Sequence, residues 1–142
     1  MVFKINMKQT MLLLSLISFS GFGQKQVFGC YTNYSEKNNM FVTKIQLNED
    51  GTFIYEFVGD LAHNWGDGIY QIDTDQVVML KFGESDLDSI QRIAQSLSSG
   101  KEIFGTKFYA FKEGNLYPLK KDGTLIKRAR LVKKEYCRFR NE

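Results

Sequence analysis

The chain has 142 residues, a length that suits one domain, and a hydrophobic content of 43%, enough for one packed core and too much for a disordered chain. One His and two Cys exclude a metal centre built from several His and Cys ligands, and no glycine-rich phosphate loop of the P-loop or dinucleotide type is present. The formal charge of +3 is unevenly spread: residues 24–118 carry a net −5, whereas residues 119–142 hold nine basic and three acidic residues, a net +6.

At the start of the chain Lys4 and Lys8 flank the approach to an apolar run over residues 11–19, and Gly21, Gly23 and Gln24 follow. A charged region, a short apolar region and small residues two apart form a secretory signal. The run falls well short of the ~20 residues a transmembrane helix needs. The reading is a cleaved signal peptide over residues 1–23 and one mature domain over residues 24–142, exported to the periplasm or beyond. A small residue followed by Gln at the cleavage point resembles exported proteins of the Bacteroidetes type.

Strand patterns follow in order. Residues 27–34 form a first strand. Residues 41–47 alternate, with Phe41, Ile45 and Leu47 inward and Lys44 and Gln46 outward. Asn48-Glu49-Asp50-Gly51 is a turn, because glycine accepts the positive φ of a tight hairpin. Residues 52–58 alternate again, with Phe53, Tyr55 and Phe57 on one face. A second hairpin joins residues 68–73 to 76–82. Over residues 85–97, Leu87, Ile90, Ala94 and Leu97 recur at helical spacing behind a capping-box-like Ser85-Asp86-Leu87-Asp88, and Ser98-Ser99-Gly100 ends the helix. Such a helix plugs a barrel end or packs outside it. Further strands are expected at residues 103–112, 116–120, 125–132 and 135–140. Eight or nine short strands with short turns and one short α-helix define a mainly β protein, an antiparallel up-and-down β-barrel.

A short echo links two turns: Asn48-Glu49-Asp50-Gly51-Thr52-Phe53-Ile54 recurs loosely as Lys120-Lys121-Asp122-Gly123-Thr124-Leu125-Ile126. It stops within a few residues on either side, so it reflects shared turn chemistry and not a duplicated domain.

Cys30 and Cys137 stand near the two ends of the mature chain. Export places them in an oxidising compartment, where such a pair bonds. The expected disulfide closes a loop of about 107 residues and requires the first and last strands to be adjacent.

Asp50-Gly51-Thr52-Phe53-x-Tyr55, then Gly68-x-Tyr70-x-Ile72, then Val77-Val78-Met79-Leu80, resembles the lipocalin-like families of small exported bacterial β-barrel proteins. The likeness covers about residues 28–82. It implies an up-and-down barrel whose mouth or interior holds a ligand. Aromatic residues can instead fill the inside of a small barrel.

Residues 59–68 hold the only His and the only Trp. Read as a loop at the barrel mouth, they offer His63, Trp65 and Asp67 as ligand-binding residues, with Trp65 stacking on the ligand and His63 acting with Asp60 or Asp67. Read as structure, Trp65 folds back onto the barrel end. No signature sets a Ser or Cys nucleophile beside His63, so no enzyme, no catalytic residue and no cofactor or metal is expected. The basic C-terminal residues read as the solvent face of a terminal strand pair, with no nucleic-acid partner in an exported monomer. Two functions remain. One is a binding barrel for a small apolar or amphipathic molecule. The other is a protein-binding module such as a periplasmic enzyme inhibitor.

Overall fold

A computed structural model describes residues 26–83, 90, 93, 94, 97, 100–102 and 105–140. The segment expected to be a signal peptide, residues 1–23, and Gln24 lie outside the described residues. Nine strands are seen among those described: β1 (Gly29–Thr32), β2 (Val42–Leu47), β3 (Thr52–Val58), β4 (His63–Ile72), β5 (Val77–Phe82), β6 (Lys101–Glu102), β7 (Thr106–Lys112), β8 (Asn115–Pro118) and β9 (Val132–Lys134).

Eight of them form one antiparallel sheet in the order β8-β7-β5-β4-β3-β2-β1-β9, and the two-residue β6 runs parallel to β4. The sheet closes on itself. Leu116 of β8 and Leu131, just before β9, exchange both backbone hydrogen bonds, at 3.0 and 2.8 Å. The result is an antiparallel up-and-down β-barrel.

Alternation along each strand explains its interior. Phe53 and Tyr55 of β3, Ile45 and Leu47 of β2, and Val78, Leu80 and Phe82 of β5 are buried in one cluster with Tyr31, Tyr109 and Phe111. Phe57 and Tyr70 pack against that cluster. Phe82 stands edge-on to Phe53 and Tyr55, with ring centroids 5.1 and 5.5 Å apart. Tyr31 has no exposed surface, and its hydroxyl donates to the Val27 carbonyl. Burial first, and Tyr70 second, push its phenol up to about 12. The barrel interior is therefore packed with side chains, as eight-stranded barrels commonly are.

The two echoing turns have the same chemistry. Gly51 and Gly123 both sit at φ +85°, which a side chain resists. Asp50 accepts from the Thr52 N–H at 3.0 Å, and Asp122 from the Thr124 N–H at 2.9 Å. Hydrogen bonds from these threonines hold both carboxyls below their ordinary value.

Several expectations need correction. β4 begins at His63, so the loop expected over residues 59–68 is a turn of residues 59–62, closed by a bond from the Gly59 N–H to the Ala62 carbonyl at 2.7 Å. β1 is shorter than residues 27–34, and Phe41 lies before β2 with 54% of its surface exposed. The expected strand at residues 125–132 is a bridge at Leu125, a 3-10 turn (Lys127–Ala129) and a bridge at Leu131. Residues 135–140 form no strand. β1 and β9 are adjacent as the cysteines require, but Cys137 lies beyond β9. Of the expected helix, Ile90, Ile93, Ala94 and Leu97 are helical. Ile90 is 80% and Leu97 83% exposed, so these positions neither plug the barrel nor pack on it. Residues 85–88, Ser98, Ser99, Ile103 and Phe104 lie outside the described residues.

Candidate functional site

The outer face of the barrel carries the polar chemistry. Register places Thr32, Lys44, Glu56, Trp65 and Lys101 in one row across β1, β2, β3, β4 and β6. All five are partners across neighbouring strands, so they share the face opposite Phe53 and Tyr55. Lys44 Nζ lies 3.0 Å from Glu56 Oε2. Lys101 Nζ lies 5.0 Å from the centre of the Trp65 ring, a cation over an aromatic face.

An outward Glu on a barrel strand should be solvated, yet Glu56 is only 2% exposed. Residues 135–140 cover it. After β9 the chain leaves the sheet and crosses the outside of β1, β2 and β3 as a strap. The Cys30–Cys137 disulfide pins it to β1, with Cα atoms 5.5 Å apart. Lys44 Nζ donates to the Arg138 carbonyl at 2.6 Å, and the Arg140 N–H donates to Glu56 Oε1 at 2.8 Å.

Glu56 is the hub of this arrangement. Oε1 also accepts from His63 Nε2 at 3.1 Å. Burial pushes the carboxyl up, but hydrogen bonds from the Arg140 N–H, Lys44 and His63 outweigh it and hold the group below its ordinary value. An ionised carboxylate with three donors is satisfied, and no buried side-chain polar atom among the described residues lacks a partner.

The three residues singled out from the sequence all lie on β4, at alternate positions facing outward. His63 is held by Glu56, Trp65 carries Lys101, and Asp67 is exposed opposite Ile54. They stand on the barrel wall and not on a mouth loop. Gly100, at φ +69°, packs behind this strand: its carbonyl accepts from the Trp65 N–H at 3.1 Å, and a Cβ there would meet the His63 carbonyl at 2.2 Å. The sequence shows β4 only from residue 68 onward, because its inward positions include Gly66 and Gly68. Those glycines sit opposite Tyr55 and Phe53, and a Cβ on Gly68 would meet the Lys81 backbone carbonyl of β5 at 2.0 Å.

Between the strap and the barrel wall lies a groove of about 1170 Å³. Thr32, Tyr34, Lys44 and Val58 form its barrel side, and residues 134–140 form the other. Lys134, Arg138 and Arg140 stand along it with Tyr136 and Phe139. His63, Trp65 and Asp67 do not line it. Reading from sequence missed Glu56 and the groove together. The available signal was Cys137: bonding it to Cys30 lays Arg138 and Arg140 across the neighbouring strands.

Among the described residues no three His, Cys, Asp or Glu gather as a metal site, and no helix is long and apolar enough to cross a membrane. The arrangement offers cations and aromatic faces, which bind and orient. Both sulfurs are committed to the disulfide, so neither serves as a nucleophile. No protein-family model matches the chain, and neither a curated protein nor a solved structure matches it.

Proposed function

We propose that this chain is an exported, non-enzymatic binding module that takes a small amphipathic ligand in the groove under its C-terminal strap. One observation carries the reading. The barrel interior is filled by aromatic and aliphatic side chains, whereas the outer groove offers about 1170 Å³. Small-molecule sites commonly span about 300–1,000 Å³. The sequence-based expectation of a ligand at the barrel mouth thus moves to the outer wall. The disulfide suits an oxidising compartment and fixes one wall of the groove in advance, which lowers the ordering cost of binding.

Native mass spectrometry of protein recovered from exporting cells tests this reading. A small-molecule adduct is expected, and it should be lost when Tyr136→Ser and Phe139→Ser are combined. An adduct that survives those changes would place the ligand elsewhere.

A second reading, a protein-binding module, rests on a different surface. In an up-and-down barrel the β1–β2, β3–β4 and β5–β7 connections leave the same end. That end carries Met40, Phe41 and Leu61 at 57, 54 and 99% exposure. Exposed apolar residues gathered in one region commonly mark protein contacts. A protein-sized partner in the same mass spectrum, lost on Leu61→Ser, would favour it.

A further inference from the structure

We infer that the groove selects an anionic amphiphile, with an acid head group between Arg138 and Arg140 and an apolar body against Tyr136, Phe139 and Val58. This rests on the binding reading above and adds the class of ligand. The charge balance points to it first. Glu56 already pairs with the Lys44 ammonium and is hydrogen-bonded to His63. Lys134, Arg138 and Arg140 pair with no carboxylate among the described residues. Among the described residues Glu135 is the sole acid in the groove lining, against four cations. Glu56 lies beneath the strap, already saturated by three donors. The field in the groove is therefore positive and open to an anion.

The aromatic lining supplies the second half. Tyr34 is 53% and Tyr136 76% exposed, beside Val58 and Phe139. A purely inorganic anion would leave these faces in water. A neutral apolar ligand would leave the guanidinium groups without an acceptor. A molecule with one acidic end and an apolar body satisfies both, because guanidinium pairs with carboxylate or phosphate through two parallel bonds.

The test uses the exported, disulfide-bonded protein and compounds of one chain length below their micelle concentrations. Titration calorimetry compares decanoate, decyl phosphate, N-methyl decanamide and decylammonium. Decanoate or decyl phosphate should bind roughly tenfold or more tightly than the amide, with decylammonium weakest. The two acids tell a free carboxylate ligand from a phosphate one. Raising salt should weaken the acids and leave the amide unchanged. Arg138→Gln with Arg140→Gln should remove the preference for the acids while amide binding persists. Tyr136→Ser, at an exposed position, should weaken all compounds in parallel.

The outcomes separate the two claims. Equal binding of acids, amide and ammonium overturns the ligand class and leaves the groove as a site. No binding by any compound overturns the groove reading as well. Acid binding untouched by the double Arg change places the anion site elsewhere and rejects this assignment.

Discussion

Phe53 and Glu56 stand three residues apart on β3 and are 1% and 2% exposed, yet they are buried by different parts of the chain. Phe53 points into the barrel, where its neighbours are strands that alternate as it does. Glu56 points outward and is buried by residues 135–140, which cross it as irregular backbone. The interior is an apolar packing problem solved by a two-residue period. The strap is a polar problem, solved by three hydrogen bonds and one covalent bond. The two faces of one strand therefore fail under different insults.

The largest effect is expected from removing the covalent bond. Replacing both Cys30 and Cys137 by Ser should lower stability by about 4–5 kcal/mol, the chain-entropy value for a loop of this length. Urea midpoints measure it. Near-ultraviolet circular dichroism in the absence of urea should keep its barrel aromatic signal, because the rings are packed by strands and not by the strap. Loss of that signal would show the two regions to be one cooperative unit.

Phe53→Ala attacks the other region and should cost about 3–5 kcal/mol, the usual loss for a large buried aromatic. The disulfide should still form in this variant, since its anchor points lie on the opposite face. Free thiols in the purified, air-oxidised variant would contradict that independence.

Glu56→Gln should cost about 1.5–3 kcal/mol at pH 7, the range for a buried hydrogen-bonded charge. The sign of its pH dependence follows from a folded carboxyl held below the unfolded value of about 4.3. The contribution is fully present above the unfolded pKa and is lost as pH falls through the folded one. The difference between wild type and Glu56→Gln should therefore be constant near neutrality and shrink under acid. Urea midpoints at pH 7, 5, 4 and 3 follow it. A gap that persists unchanged at pH 3 would reject the role of the ionised carboxylate.

Trp65→Ala should have the smallest effect, about 1 kcal/mol or less, because the ring lies on the outer wall and a surface change costs little. A loss matching Phe53→Ala would mean that Trp65 belongs to the packed interior and not to the outer row.

These differences also explain what the sequence makes legible. Ile45, Leu47, Phe53 and Tyr55 announce their inward face by alternation, and the Asp-Gly-Thr turns announce the reversals between strands. Cys30 and Cys137 bring the chain ends together. β4 was half hidden, because Gly66 and Gly68 are inward positions with no side chain to signal them. Residues 135–140 alternate like a strand but join no sheet, since β1 already has β9 and β2 as its neighbours. Burial of Glu56 depends on chain 84 residues away, which no local pattern reports.

The disulfide has unequal ends. Cys30 is 2% exposed within β1, whereas Cys137 sits half-buried on the strap. Exchange begins when a thiolate approaches one sulfur from outside, and the other sulfur departs. Attack on Cys137 is the open route, and it expels a Cys30 thiolate into an enclosed setting that disfavours its charge. The strap thus covers the leaving group of its own release, and the reverse step, return of Cys30 to Cys137, has its reactants already in place. With two cysteines in the chain there is a single intramolecular pairing, so a bond opened in this way has no wrong partner to choose.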